Sequence, residues 1–144
     1  MGMSHTAAGQ YQGYTLQDVR RAFYLLASPP NASVSVEHKD DVTVHFADGR
    51  ELWEQTKSAL SSNPLVDASP DLWKTLVIWG KSWKGGAPVG PAREFRLFVT
   101  PRRPLGNFAQ ALDTAVTDCD ADNFIEATEK LLASGPGKKV AQQL

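Results

Sequence analysis

Residues 33–57 read SVSVEHKDDVTVHFADGRELWEQTK, and this stretch decides the fold. Val34 and Val36 alternate with Ser33, Ser35 and Glu37, and Val42, Val44 and Phe46 alternate with Asp41, Thr43 and His45. A strand sends successive side chains to opposite faces, so each run offers one apolar and one polar face. Asp48-Gly49 marks a tight hairpin turn, after which Arg50 to Lys57 returns as a third strand. An antiparallel meander is expected, with Val42, Val44 and Phe46 facing the core.

Helical patterns flank it. Leu16, Val19, Phe23 and Leu26 recur at spacings of three and four, which predicts a helix over Thr15 to Ala27 with these four on one face. Thr15 with Asp18 reads as a capping-box variant, and Pro29-Pro30 ends the segment. Ser69 as N-cap and Pro70 at the first helical position open a second helix, which carries Leu72, Leu76, Trp79 and Trp83 and ends at Gly85-Gly86. At helical spacing Trp73, Trp79 and Trp83 belong to packing. Glu94 to Thr100 has apolar residues of both parities, as an interior strand requires, and two helices follow at Asn107 to Thr117 and Asp120 to Ala133. The order is α-β-β-β-α-β with extra C-terminal helices. This describes an α/β fold with a mixed sheet over residues 1–134, followed after the Gly135-Pro136-Gly137 break by a linker or tail over 135–144.

The composition, 42% hydrophobic and 22% charged over 144 residues, suits one domain with a sizeable core. Cys119 is the single cysteine, which excludes an internal disulfide, and with three histidines it excludes a cysteine-rich zinc module. A reducing, cytoplasmic setting is expected. No run approaches the roughly 18 apolar residues of a membrane span. A net charge of -1 supplies no overall attraction to nucleic acid, so contacts with DNA must be local. Arg102 and Arg103, set between prolines, and Lys74 on the second helix are the candidates, although the helix lysines also read as a solvated face.

One constellation carries chemistry. Across an antiparallel hairpin, Asp41 at the start of one strand lies close to the end of its neighbour, where Gln55 and Lys57 share a face. A carboxylate, an amide oxygen and an ammonium thus converge. Phosphodiester hydrolysis needs such a set: oxygen ligands for Mg²⁺ or Mn²⁺, and a cation that orients water and offsets the charge that builds on the phosphate. Asp40 competes with Asp41 for the metal, and parity with Thr43 and His45 favours Asp41. Glu54 points to the opposite face from Gln55.

Glu37, Asp40-Asp41-Val42 and Glu54-Gln55-Thr56-Lys57 resemble the motifs of the PD-(D/E)XK nucleases, in the branch whose third motif reads Q-x-K. The likeness is closest to the N-terminal endonuclease-like domains of bacterial anti-phage proteins, the Cap-type double-stranded DNA endonucleases and the first components of ABC three-component systems. It rests on Gly13-Tyr14 with Gln17, residues 36–42, residues 54–58, and residues 71–76 with Trp79, and covers roughly positions 9 to 80. The resemblance implies a restriction-endonuclease-like fold and a Mg²⁺-dependent endonuclease in an anti-phage defence system. It implies Asp41 and Gln55 as metal ligands, Lys57 as the catalytic lysine, and Glu37 and Gln17 as an added carboxylate and amide. Double-stranded DNA would be the substrate, with a sensor domain, a partner protein or further copies of the chain gathering the domains into avid binding. Gln55 departs from the wider pattern because an amide oxygen binds Mg²⁺ more weakly than a carboxylate, so a catalytically inactive scaffold that binds DNA or partner proteins is the alternative.

Overall fold

The computed structural model describes residues 7–38, 40–84 and 92–134. The order of elements is α1 (Ala7–Ala27), β1 (Ser33–Val36), β2 (Val42–His45), β3 (Glu51–Ser58), α2 (Pro70–Lys84), β4 (Arg93–Thr100), α3 (Asn107–Thr114) and α4 (Asp118–Ala133). The protein is an α/β chain with a four-stranded mixed sheet. Two compact units form, one from α1 and the sheet, the other from α2, α3 and α4. The 135–144 tail and Gly85-Gly86 lie outside the described residues.

In the sheet unit the strands run in the order β1-β2-β3-β4. Val36 pairs with Val42 and Val42 with Glu54, both antiparallel, while β4 lies parallel to β3 with Glu54 opposite Arg96. The β2–β3 hairpin closes through Gly49, whose φ of 86° suits a residue without Cβ. The Arg50 guanidinium beside the exposed Asp48 holds that carboxyl below the usual carboxylate range. Val42, Val44 and Leu52 form the core with Tyr24 of α1, and Phe46 packs against it, as the alternation predicts. The expectation of an interior position for β4 is overturned. It is an edge strand of the described sheet, and its Glu94 and Arg96 are exposed.

Helix α1 departs further from its sequence pattern. It begins at Ala7, not Thr15, because Ala7 to Gly13 contains no proline and a single glycine costs a helix only about 1 kcal/mol. Thr15 therefore lies inside the helix, where its hydroxyl donates to the Tyr11 carbonyl at 2.9 Å instead of capping. The apolar side is also the outer side: Val19, Phe23 and Leu26 are 59%, 48% and 89% exposed, whereas Gln17 and Tyr24 are 8% and 5% exposed. Gln17, Arg20 and Tyr24 also recur at helical spacing, and the partners they find on the sheet explain why this face turns inward.

In the helical unit, Asp67 acts as a hub. Its carbonyl accepts the Trp73 indole N–H at 2.7 Å and its carboxylate accepts the Phe108 N–H at the start of α3 at 2.8 Å. A Cβ on Gly106 would meet Asp67 Oδ1 at 2.5 Å, so this approach requires glycine. Trp73, Phe108 and Phe124 stack in succession at 4.6 and 4.4 Å. Trp73 and Trp79 are buried, as their spacing predicts. The Thr117 hydroxyl accepts from Asp120 N–H and the Asp120 carboxylate accepts from Thr117 N–H, a capping box that ends α3 at Thr114 and starts α4 at Asp118.

Candidate functional site

At the end of the β2–β3 pair, Asp41 stands one residue before Val42, the first residue of β2, which pairs with Glu54 of β3. Its Oδ2 accepts two hydrogen bonds from Thr56, from the backbone N–H and from the hydroxyl, each at 2.8 Å. The carboxylate thereby replaces the strand carbonyl that β2 no longer supplies, and is fixed at the sheet's end. Gln55 and Lys57 flank Thr56 with the other parity, Gln55 buried and Lys57 half-buried. No hydrogen bond or ion pair joins Asp41, Gln55 and Lys57 among the described residues.

The loop between β1 and β2 brings the second pair together. Glu37 N–H donates to the Asp41 carbonyl at 3.2 Å, and Glu37 adopts a φ of 55° that turns the chain there. Gln17 of α1 donates its amide to Glu37 Oε1 at 2.7 Å. Asp40 is buried and its Oδ1 accepts the Asp41 N–H at 3.0 Å, so it braces the backbone of its neighbour. In the helical unit, Lys74 and Arg102 are exposed, while Arg103 donates twice to the Ala59 carbonyl, at 3.1 and 2.8 Å.

The largest fully buried polar side chain among the described residues is Glu54, enclosed on the α1 face of the sheet. Arg20 grips it with Nε at 2.6 Å and Nη2 at 2.8 Å, and the Tyr24 hydroxyl donates to Oε2. Arg96 Nη1 donates to the Tyr24 oxygen at 3.0 Å, and the Arg20 guanidinium lies 4.0 Å from the Phe98 ring centre. A bidentate fork on a carboxylate is the geometry that lets a buried charge persist. Sequence reasoning missed this cluster and Thr56. The signal was available in part, since Glu54 has the parity of Leu52 and so faces the core.

Burial above all, then the bond to Glu54, pushes the Tyr24 phenol above its ordinary value of 10.0. The folded protein thus holds this proton more tightly than the unfolded chain. The stability it contributes is fully present below about pH 10 and is lost as pH rises beyond. Tyr24→Phe is expected to flatten the alkaline fall in unfolding free energy, measured by denaturant titration at a series of pH values; an unchanged slope would refute this coupling.

No family model matches the chain, and searches of curated proteins and of solved structures find no similar protein. No helix among the described residues is long and apolar enough to cross a membrane.

Proposed function

We propose that residues 1–134 form a metal-dependent nuclease domain of the restriction-endonuclease-like type, with its site on the sheet, which hydrolyses double-stranded DNA in an anti-phage defence system. The observation that carries this reading is Asp41: one carboxylate oxygen is pinned by two Thr56 donors at the end of the sheet, beside the strand that bears Gln55 and Lys57. Hydrogen-bonded support of this kind orients a carboxylate for a metal. The element order and the parallel pairing of β4 with β3 support the fold assignment.

The donors suit one hard cation. Asp41 Oδ1 and the Gln55 amide oxygen would hold Mg²⁺ or Mn²⁺, with substrate phosphate and water completing the shell, since Mg²⁺ keeps several waters and takes one or two protein carboxylates. A bound cation supplies charge stabilisation at the phosphoryl oxygens and makes water more acidic. Lys57 would orient the attacking water and offset the growing negative charge. Glu37, held by Gln17, offers a further carboxylate from the adjoining loop.

A second reading, a catalytically silent scaffold for DNA or partner proteins, is favoured by one observation: no group of three or more His, Cys, Asp or Glu side chains gathers among the described residues. Titration with Mn²⁺ decides between the two. Binding at about millimolar metal or below that disappears in Asp41→Ala is the expected result. Absence of binding by the unaltered chain over that range sinks the enzymatic reading and leaves the scaffold.

A further inference from the structure

A second polar constellation occupies the face of the sheet opposite Glu54, the same face that carries Gln55 and Lys57 further along β3. The register places Ser33 against His45 and His45 against Glu51, and Ser35 against Thr43 and Thr43 against Trp53. Paired residues share a face, so Ser35, His45, Glu51 and Trp53 all lie on the side turned away from Val42, Val44 and Leu52. Ser35 Oγ is 3.0 Å from His45 Nε2, and His45 Nδ1 is 3.2 Å from Glu51 Oε1. The other carboxylate oxygen, Oε2, accepts the Trp53 indole N–H at 2.8 Å and lies 3.6 Å from Arg93 Nε.

For a neutral ring these contacts fit one tautomer. An ionised carboxylate only accepts, so the proton between His45 and Glu51 belongs to Nδ1. In the neutral imidazole Nε2 is then bare, and it accepts from the Ser35 hydroxyl. A hydroxyl, a base within hydrogen-bond reach and a third group that orients the base are the three parts of an activated nucleophile. The half-buried Ser35 lies on an edge strand, with no neighbour on the outer side of β1 among the described residues. The Glu37 N–H to Asp41 carbonyl bond marks that pair as hydrogen-bonded. Alternation by two then makes Ser35–Thr43 hydrogen-bonded as well, and directs the Val36 N–H outward. A backbone N–H next to the nucleophile is a donor for a developing oxyanion. Thr43, across from Ser35, keeps a buried hydroxyl without a hydrogen-bond partner, which a network built only to satisfy its polar groups would not leave.

We propose that Ser35, His45 and Glu51 form an acyl-transfer site for carboxylic esters, separate from the phosphodiester site. Ser35 Oγ bonds to the ester carbonyl carbon as its proton passes to His45 Nε2. The carbon–oxygen bond to the leaving alcohol breaks and that alcohol takes the proton, leaving acyl-Ser35. Water then attacks the acyl carbon through the same imidazole, releasing the carboxylic acid and restoring the serine. Glu51 is a positioning residue, which keeps Nδ1 protonated and the ring aimed at Ser35.

The test is a fluorophosphonate probe with EDTA present, so that the outcome does not depend on the metal site. The folded chain is expected to gain one adduct, on the peptide that contains Ser35, and heat-denatured chain none. Ser35→Ala should abolish it. His45→Gln, which keeps a polar side chain on the sheet, should slow labelling by about 10²-fold or more, the usual contribution of a general base. Glu51→Gln should slow labelling less and leave the adduct on Ser35. Absence of an adduct at Ser35, or equal rates in His45→Gln and the unaltered chain, would show that these contacts are only structural and would overturn the proposal.

Discussion

Arg20→Ala should cost the sheet unit about 3 to 5 kcal/mol, the penalty for leaving a buried carboxylate without its cation. The reason is Glu54, which is fully enclosed and takes both oxygens' main contacts from that guanidinium. The same contacts raise the Arg20 guanidinium above its usual range, chiefly through the hydrogen bond to Glu54. At a urea dependence of about 2 kcal/mol per molar, the midpoint would fall by roughly 2 M. Amide exchange in β2 and β3 reports on this unit specifically. The paired replacement Arg20→Met with Glu54→Leu should recover much of the loss, because a packed apolar pair often matches a buried ion pair. If Arg20→Ala alone lowers stability by less than about 1 kcal/mol, the ion pair is not what fixes α1 on the sheet.

Lys57→Ala should leave stability nearly unchanged and lower plasmid cleavage by a factor of about 10² to 10³. Lys57 is half-buried and makes no ion pair among the described residues, so its removal strands no partner. A loss of this size in turnover with an unaltered unfolding midpoint separates chemistry from folding. Nicking at the same rate by Lys57→Ala and the unaltered chain at matched concentration would remove the lysine from the proposed mechanism.

The parts of the fold that the sequence showed most clearly are those governed by local rules. Period two in Val42, Val44 and Phe46, the Asp48-Gly49 turn and Pro70 at a helix start each have a single physical cause within a few residues, and the structure carries all three. The orientation of α1 did not follow from local rules. Leu16, Val19, Phe23 and Leu26 satisfy the helical period as well as Gln17, Arg20 and Tyr24 do, and hydrophobicity alone selects the wrong set. What decides is a demand made by β3, where Glu54 sits at a core position and requires a donor-rich face opposite it. The position of β4 was misread for a related reason. Apolar residues of both parities in Phe95 to Val99 need cover on both faces, but cover does not require a strand on each side. At the candidate site, residue types and spacing pointed to Asp41, Gln55 and Lys57. The hold of Thr56 on Asp41 depends on where β2 stops pairing, which spacing does not specify.

The parallel neighbour of β3 also sets an order of events during synthesis. Strands β1 to β3 are joined by short turns, so the meander and α1 can assemble as soon as Ser58 has left the ribosome. The β4 strand cannot dock until the whole of residues 59–92 has followed, and closing that long connection carries an entropic cost which the hairpins do not incur. In the interval β3 presents an open edge of unpaired backbone groups with Leu52 and Trp53 along it, the kind of surface that captures other nascent chains. The interval of greatest aggregation hazard for this protein therefore falls between the emergence of Ser58 and that of Thr100.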